Sequence, residues 1–359
     1  MKLSDDRVRR MRSGAQLLHR PGRHSAVELV KHLTGVQAQV LSAAGLALRA
    51  RTNGMTLERV DRARLRDRSI VLTWAMRGTL HLVAAEDYGW LVPLTTEPGL
   101  ANAHRRLKQE GVPAGQPARA VRFIEKMLER EGPLTRPEIA ERLQHKDIRV
   151  AGQAIAHLVW LAAAQGVICY GPEQRFTLVE DWLPSSKPRE PDAALAELAI
   201  RYLHAHAPAA PADLASWAGI RAGDAMRAWK AIADRLVEVE TARGTRWILR
   251  SKRSEAPAGI VRLLPAFDEY LLGWKDRDIV VAAEHRTKIN RGGGWLHPVV
   301  LADGQLIATW SIQRKSIQSS LEVVPFVPLT SAIKLAIAAE AKEVAGFLGI
   351  AAVVAFSDR

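Results

Sequence analysis

The stretch Ile70-Val-Leu-Thr-Trp-Ala-Met-Arg-Gly-Thr-Leu-His-Leu-Val83 decides the fold class of this chain. Strand-forming residues occupy 70–76 and 79–83, and the Arg77-Gly78 pair between them is a turn signal, so the stretch predicts a β-hairpin. Apolar residues at helical spacing predict helices before the hairpin, at 5–18, 25–35, 42–50 and 57–66. Ser25 and Glu28 match a capping box that would open the second of these helices, and Gly35 is its expected stop. Short helices followed by a hairpin are the elements, in order, of a winged helix-turn-helix unit.

The same order of elements recurs twice further along the chain. Two helices and a strand pair are predicted at 133–143, 151–164, 167–170 and 175–179. A second set is predicted about 75 residues later, at 211–217, 223–234, 236–240 and 246–249. The sequence therefore predicts three tandem winged-helix units. Unrelated helix pairs with terminal hairpins are the alternative.

The last third of the chain has a different pattern. Residues 184–191 hold three prolines and predict a linker. Beyond residue 259, strands are predicted at 260–264, 279–283, 295–301, 306–312 and 319–326, followed by a helix at 331–348 and a strand at 350–356. The predicted fold class is α+β, mainly α, with three tandem winged helix-turn-helix units and a C-terminal α+β barrel-like region. The predicted boundaries are 1–115, 116–190 and 191–255 for the units and 256–359 for the C-terminal region.

The composition favours a globular protein with an anionic partner. The chain has 359 residues, 48% of them apolar, and its 51 Lys and Arg against 38 Asp and Glu give a net charge of +13. Nucleic acid is the first candidate partner, because neutralising phosphates requires many cations. Dispersed basic charge with no such partner is the alternative. Much of the excess positive charge lies near the start of the sequence, because residues 1–23 hold seven Lys and Arg against two Asp.

Other classes of protein lack support in the sequence. The single Cys169 excludes an internal disulfide and multi-cysteine metal sites, and the phosphate-loop and HExxH patterns are missing, so we predict no metal and no cofactor. No apolar run approaches the roughly 20 residues of a membrane span, and acids stand where a secretory signal would be apolar. We expect a cytoplasmic monomer without a membrane partner, located at the nucleoid if the source is bacterial.

Three local clusters carry side chains suited to chemistry or to DNA contact. In the cluster at 36–40, an extended backbone would place Gln37 and Gln39 on one face, whereas a continued helix would separate them. The hairpin turn sets Arg77, Thr79 and His81 near a glycine, and such wings contact phosphates or the minor groove. The third cluster, at 264–277, interleaves aromatic and charged residues. For the first cluster, the alternative is a pair of ordinary surface glutamines. For the basic residues, it is that they lie on solvated helix faces. For the third cluster, it is a loop that caps the C-terminal region.

At these clusters the sequence resembles the AlkZ-type bacterial DNA glycosylases, which contain tandem winged-helix units and a Gln–apolar–Gln motif. Gln37-Ala38-Gln39 matches that motif, and a sister branch, the YcaQ type, has Asp where this chain has Gln39. Three further signatures match in the same order along the chain: Trp74-Ala-Met-Arg-Gly-Thr-Leu-His81, Pro265-Ala-Phe-Asp-Glu-Tyr-Leu-Leu-Gly-Trp-Lys-Asp-Arg277 and Gly294-Trp-Leu-His-Pro-Val-Val-Leu-Ala-Asp-Gly304.

The resemblance implies a monofunctional DNA glycosylase that hydrolyses the N-glycosidic bond of N7-alkylated purines. The implied substrates include bulky adducts and interstrand crosslinks that genotoxic natural products leave in DNA. Their removal would serve DNA repair or antibiotic self-resistance. Gln37 and Gln39 would be the catalytic pair. The chemistry agrees, because an N7-alkylguanine is already cationic and leaves with little acid catalysis. Amides can orient a water and stabilise an oxocarbenium-like sugar.

The implied partner is double-stranded DNA that contains alkylated bases. We predict that the first unit holds it, with Arg77 and His81 close to the damaged strand. The predicted DNA contacts are Arg9, Arg12, Arg77, Thr79, His81, Lys275 and Arg277. The competing function is a non-catalytic winged-helix DNA-binding protein or transcriptional regulator, which would need a helix free to read base edges in the major groove.

Overall fold

The computed structural model describes residues 1–251, 255–313 and 319–357. The fold is mixed α/β and about half helical, with a curled half-barrel sheet. Among the described residues, no helix combines the length and the apolar character that crossing a membrane would require.

The first predicted unit contains the expected helices and hairpin. Ser25 and Glu28 form the capping box that opens the second helix, and this helix ends at Thr34, whose left-handed backbone (φ 63°) replaces the expected stop at Gly35. A π-helical turn, Arg62–Arg66, extends the fourth helix. The elements are β1 (Lys2–Leu3), α1 (Asp5–Ala15), α2 (Ala26–Leu33), β2 (Val36–Gln37), α3 (Leu41–Arg49), α4 (Leu57–Asp61), β3 (Ile70–Trp74), β4 (Leu80–Ala84) and α5 (Tyr88–Gln109).

The next two predicted units also contain their helices and strand pairs. Prolines at the first or second position start several of these helices, where the missing N–H has no helical partner to lose. The elements are α6 (Gln116–Glu131), α7 (Arg136–Gln144), α8 (Ala154–Ala164), β5 (Ile168–Tyr170), β6 (Phe176–Leu178), α9 (Val179–Trp182), α10 (Pro191–His206), α11 (Pro211–Ala218), α12 (Ala222–Ala231), β7 (Leu236–Thr241) and β8 (Gly244–Leu249).

The C-terminal region differs from its prediction at two strands. The strand predicted at 295–301 is interrupted at residues 297 and 298, so that its two ends form separate strands. The strand predicted at 279–283 is wrong, because the amides of Val280 and Val281 both donate to the Arg277 carbonyl and form a turn. A five-residue apolar run fits a buried turn as well as a strand. The elements are β9 (Val261–Leu264), α13 (Glu269–Leu272), α14 (Arg286–Ile289), β10 (Asn290–Gly292), β11 (Trp295–Leu296), β12 (Val299–Ala302), β13 (Gln305–Gln313), β14 (Ser319–Pro325), α15 (Ser331–Leu348) and β15 (Ala352–Phe356).

Strand pairing crosses the borders between the predicted units. The first two hairpins share one sheet, in the order β2-β4-β3-β5-β6, because Leu72 pairs with Tyr170. Strand β1 runs parallel to β7, so the start of the chain completes the sheet of the third predicted unit. A further sheet has the order β15-β14-β13-β12-β9. The number of winged-helix units stays a prediction.

Buried ion pairs join the first helices to the C-terminal region. Glu340 on α15 accepts a hydrogen bond from Arg49 on α3 at 3.1 Å and forms an ion pair with Arg20 at 2.7 Å. Arg51 forms a two-pronged pair with Asp268, with both Nη–Oδ distances at 2.8 Å. Because these pairs link residues more than 200 positions apart, they hold α15 against α3 and the Asp268 segment against the residues that follow α3.

Candidate active site

The Gln37-Ala38-Gln39 motif lies at the edge of the first sheet. Gln37 pairs with His81, and the Ala38 amide donates to the Leu80 carbonyl at 2.7 Å. The backbone is therefore extended at the first glutamine, but the strand ends there and the chain bends at Gln39. Gln37 is 6% exposed, whereas Gln39 is exposed. The two glutamines thus differ in their access to a ligand.

A closed network of four residues holds Gln37. Its backbone N–H donates to Glu269 Oε1 at 2.9 Å, and its side-chain Oε1 accepts from Arg77 Nη2 at 2.7 Å. The Arg77 guanidinium also donates to the Trp217 carbonyl, and the Trp217 indole donates to Glu269 Oε2 at 2.9 Å. A guanidinium can only donate, so the amide oxygen of Gln37 faces Arg77 and its NH₂ group points away.

Charge is compensated inside this network. Burial raises the pKa of Glu269, and the Arg77 cation opposes that rise. Burial also lowers the pKa of Arg77, against the attraction of Glu269. A buried charge is costly unless it is paired, so each group stabilises the other in its charged form. The Glu269 carboxylate and the Arg77 guanidinium therefore both hold the Gln37-Ala38-Gln39 motif in place.

The turn that carries Arg77 requires a special backbone. Arg77 has φ +57° within the 3₁₀ turn Met76–Gly78. Gly219, at the end of α11, packs directly against it: a Cβ there would lie 2.7 Å from the Arg77 backbone nitrogen. Gly219 itself has φ +74°, so only glycine fits both the conformation and the contact. The turn is therefore positioned by the third predicted unit.

His81 is buried behind the motif. Its Nδ1 donates to the Thr79 carbonyl at 2.9 Å, and the Thr79 hydroxyl donates to the Met76 carbonyl at 3.1 Å. Burial, aided by the nearby Arg77 cation, lowers the pKa of His81 to about 3. The imidazole is therefore uncharged at neutral pH and offers no cation to a phosphate.

The other four predicted DNA contacts differ in how far their charged groups are occupied within the protein. Arg12 is buried, donates to the Pro208 carbonyl and stacks over Trp274 at 4.2 Å. Arg9 and Arg277 are half-buried and donate to the carbonyls of other residues. The Lys275 side chain is exposed. Of these, only Lys275 presents its charge freely to solvent.

Sequence reasoning missed Glu269 and Trp217 as partners of the motif. Glu269 lies in the interleaved cluster at 264–277, so its segment was singled out, but nothing local marks the carboxylate as buried. Trp217 lies in α11, 180 residues beyond Gln37, and both of its contacts are long-range. The feature that identifies Glu269 is the complete burial of Asp268 and Glu269, which only the structure shows.

Buried histidines predict a loss of stability in mild acid. His206, stacked on Tyr202, has its pKa lowered by burial to about 3, as His81 has. A histidine with a depressed folded-state pKa contributes full stability above about pH 6.5. That stability is lost as the pH falls from about 6.5 towards 3, by up to about 1.4 kcal/mol per pH unit for each histidine.

Urea unfolding measured at steps from pH 7.5 to 4.5 checks this expectation. His206→Phe keeps a ring on Tyr202 but removes one titrating group, so its free energy of unfolding should fall less steeply with acid than that of the wild type. Equal slopes for the two proteins would contradict the proton linkage.

The comparisons with known proteins agree with this fold and motif. A family model described as DNA glycosylase AlkZ-like matches residues 30–347. The chain is therefore a DNA glycosylase, and it belongs to the AlkZ-like family. This enzyme class, and not the regulator, is the function class of the chain.

Two comparisons cover almost the whole chain. It is 32% identical over 376 aligned positions to a Streptomyces sahachiroi protein described as an interstrand DNA cross-link repair glycosylase, with 98% of each chain covered. The solved structure of Streptomyces sahachiroi DNA glycosylase AlkZ matches with a TM-score of 0.84 at 30% identity, over 99% of this chain and 100% of that one.

Proposed function

We propose that this DNA glycosylase hydrolyses the N-glycosidic bond of cationic N7-alkylated purines in double-stranded DNA, including bulky adducts and interstrand crosslinks. The observation that carries the proposal is the chemistry of the motif: an exposed neutral amide, Gln39, beside a buried one, Gln37. The carboxylate that reaches this network, Glu269, is buried and already accepts two hydrogen bonds. Such a site suits a substrate whose leaving group needs no proton.

The two glutamines have different roles in this mechanism. Gln39 is accessible, so its amide carbonyl can orient a water and face the positive charge that develops on the sugar. The C1′–N9 bond breaks, its electron pair neutralises the purinium, and the water oxygen bonds to C1′ as a proton leaves to solvent. The oxygen of Gln37 is committed to Arg77, so Gln37 contributes only amide N–H donors and the backbone placement of Gln39.

The crosslink part of the proposal draws support from the relative described as an interstrand cross-link repair glycosylase. We extend that substrate class to this chain, and with it a role in repair or self-resistance at the nucleoid. For DNA contact we propose Lys275, Thr79, Arg9 and Arg277, and we propose Arg77 as a positioning residue. Arg12 and His81 are buried and would support the fold.

A panel of alkylated duplexes tests the proposed function. Base release is followed under single-turnover conditions from duplexes with N7-methylguanine, a bulky N7-guanine adduct, an N7–N7 crosslink and undamaged guanine. We expect release from the cationic lesions and none from undamaged guanine. Release of a neutral lesion at the same rate, or of no N7-alkylated base, would refute the proposal.

Replacing Arg77 should impair chemistry more than binding. Arg77→Met leaves the Gln37 oxygen and the Glu269 carboxylate without their cation, so we expect base release to slow by about tenfold or more. The plot of log K against log salt should keep its slope, because the guanidinium is occupied within the protein.

Lys275→Met is the matched control for that measurement, because this cation is exposed. It should flatten the salt slope by about one unit and leave the rate within the bound complex unchanged. If Arg77→Met flattened the salt slope as much as Lys275→Met does, Arg77 would bind a phosphate instead.

A further inference from the structure

A cavity of about 390 Å³ lies where the three predicted units meet, against the Arg77–Gly78 turn. Its walls come from that turn, from α5, from α8 and from the end of α11. Its lining includes Arg77, Gly78, Gly99, Asn102, His157 and Trp160. Its size falls within the range of small-molecule pockets, roughly 300–1,000 Å³.

Arg77 connects this cavity to the Gln37-Ala38-Gln39 motif. Arg77 lines the cavity, and its guanidinium donates to the side-chain oxygen of Gln37, two residues before Gln39. Strands β2 and β4 are antiparallel, with Gln37 opposite His81 and the Ala38 amide bonded to the Leu80 carbonyl, so the motif pairs with the residues that follow the turn. The motif and the cavity therefore border the same turn.

The walls of the cavity suit a flat, uncharged group. Trp160 lies between two glycines: a Cβ at Gly78 would be 3.6 Å from the indole nitrogen, and a Cβ at Gly99 would be 2.9 Å from the ring. The absence of side chains at both positions leaves an indole as one wall. Indoles bind planar groups by stacking.

Arg77 also lines the cavity, but hydrogen bonds within the protein occupy its guanidinium. The polar groups used for recognition can donate hydrogen bonds without carrying charge. Asn102 Oδ1 accepts from Arg105 at 2.6 Å, which leaves the Asn102 NH₂ group as a donor. Burial lowers the pKa of His157, with help from the Arg106 cation, so the imidazole is neutral at pH 7. The cavity thus offers a stacking wall and weak donors.

We propose that this cavity receives a planar, uncharged organic group attached to N7 of the damaged purine, while Gln39 acts at the glycosidic bond. N7 and N9 belong to the same five-membered ring. A substituent on N7 and the C1′–N9 bond that breaks are therefore separated by about one ring width. A methyl group leaves the cavity unfilled, whereas an aromatic substituent can stack on Trp160. This inference rests on the proposed N7-alkylpurine activity.

The test compares two duplexes that differ only in the group on N7: N7-methylguanine and N7-benzylguanine. Trp160→Ala removes the stacking wall, and Asn102→Phe narrows the cavity from an exposed position on α5. We expect each variant to slow benzylguanine release by about tenfold or more and to change methylguanine release by less than about twofold. Ala101→Phe adds the same ring at the neighbouring exposed position outside the cavity and should change neither rate.

The outcomes separate this inference from the proposed function. A wild-type protein that releases neither base refutes the proposed function. A wild-type protein active on both, with the Trp160→Ala and Asn102→Phe variants slowed equally on both duplexes or on neither, refutes the role of the cavity alone. Equal slowing would mean that the cavity holds the purine itself. Trp160→Phe, which retains a flat ring, should restore most of the lost benzylguanine rate.

Discussion

Gln39→Ala is expected to slow the release of N7-methylguanine by about 100-fold or more, with little change in affinity for the lesion duplex. The carbonyl dipole of Gln39 would act only on the water and on the charge that develops at the sugar. A group that acts in the transition state alone affects the rate and not the binding, and removing one preorganised dipole of this kind typically costs 10²–10³-fold, roughly. Single-turnover rates and equilibrium binding on the same duplex measure the two effects separately.

Two further variants sharpen this expectation. Gln165→Ala removes an exposed glutamine outside the motif and should retain the wild-type rate. Gln37→Ala should also slow release, because Arg77 loses its acceptor and the placement of Gln39 is less firmly held. If both Gln39→Ala and Gln37→Ala released base at the wild-type rate, the assignment of the catalytic pair would be wrong.

Asp268→Ala should lower the free energy of unfolding by about 3–5 kcal/mol, the largest stability effect that we expect. The side chains of Asp268 and Arg51 are both 0% exposed, and the pair has two hydrogen bonds of 2.8 Å. Removing the carboxylate leaves a buried guanidinium with the Gln16 side chain and the Ala47 carbonyl as its remaining acceptors. Urea unfolding monitored by circular dichroism measures the change.

An exposed ion pair provides the comparison for Asp268. Asp6→Ala removes a 2.7 Å pair with Arg10 at the surface and should cost less than about 1 kcal/mol. The double variant Arg51→Met/Asp268→Leu should regain much of the stability lost in Asp268→Ala, because no charge is left buried. A loss for Asp268→Ala no larger than that for Asp6→Ala would contradict the role assigned to this pair.

The local elements followed from the sequence where the signal was local. Ser25 and Glu28 were close enough along the chain to predict their capping box, and the helix at 331–348 begins and ends as its pattern predicts. The hairpin at 70–83 was also predicted, although its first strand ends at Trp74 because residues 76–78 form a 3₁₀ turn. The strand prediction at 279–283 was wrong because a short apolar run fits a strand and a buried turn equally well.

The candidate site could be predicted only in part. The motif at Gln37 and Gln39 and the cluster that contains Glu269 were both identified, and the resemblance to a glycosylase family came from their order. Their division of roles could not be predicted, since alternation along a strand would have put both glutamines on one face. Likewise, Arg12 has the same chemistry as an exposed arginine, and its burial depends on Pro208 and Trp274, far along the chain.

The sequence by itself determined the helices, the hairpins and the family, because caps, turns and motifs are encoded within a few residues of one another. The tertiary structure decided the pairing of Leu72 with Tyr170, the burial of Asp268 and Glu269, and the contact of Gly219 with the Arg77 turn. Each of these joins segments about 100 or more residues apart. Such contacts depend on which faces pack together, and burial then sets the charge state and hydrogen-bond partners of groups that the sequence lists only by type.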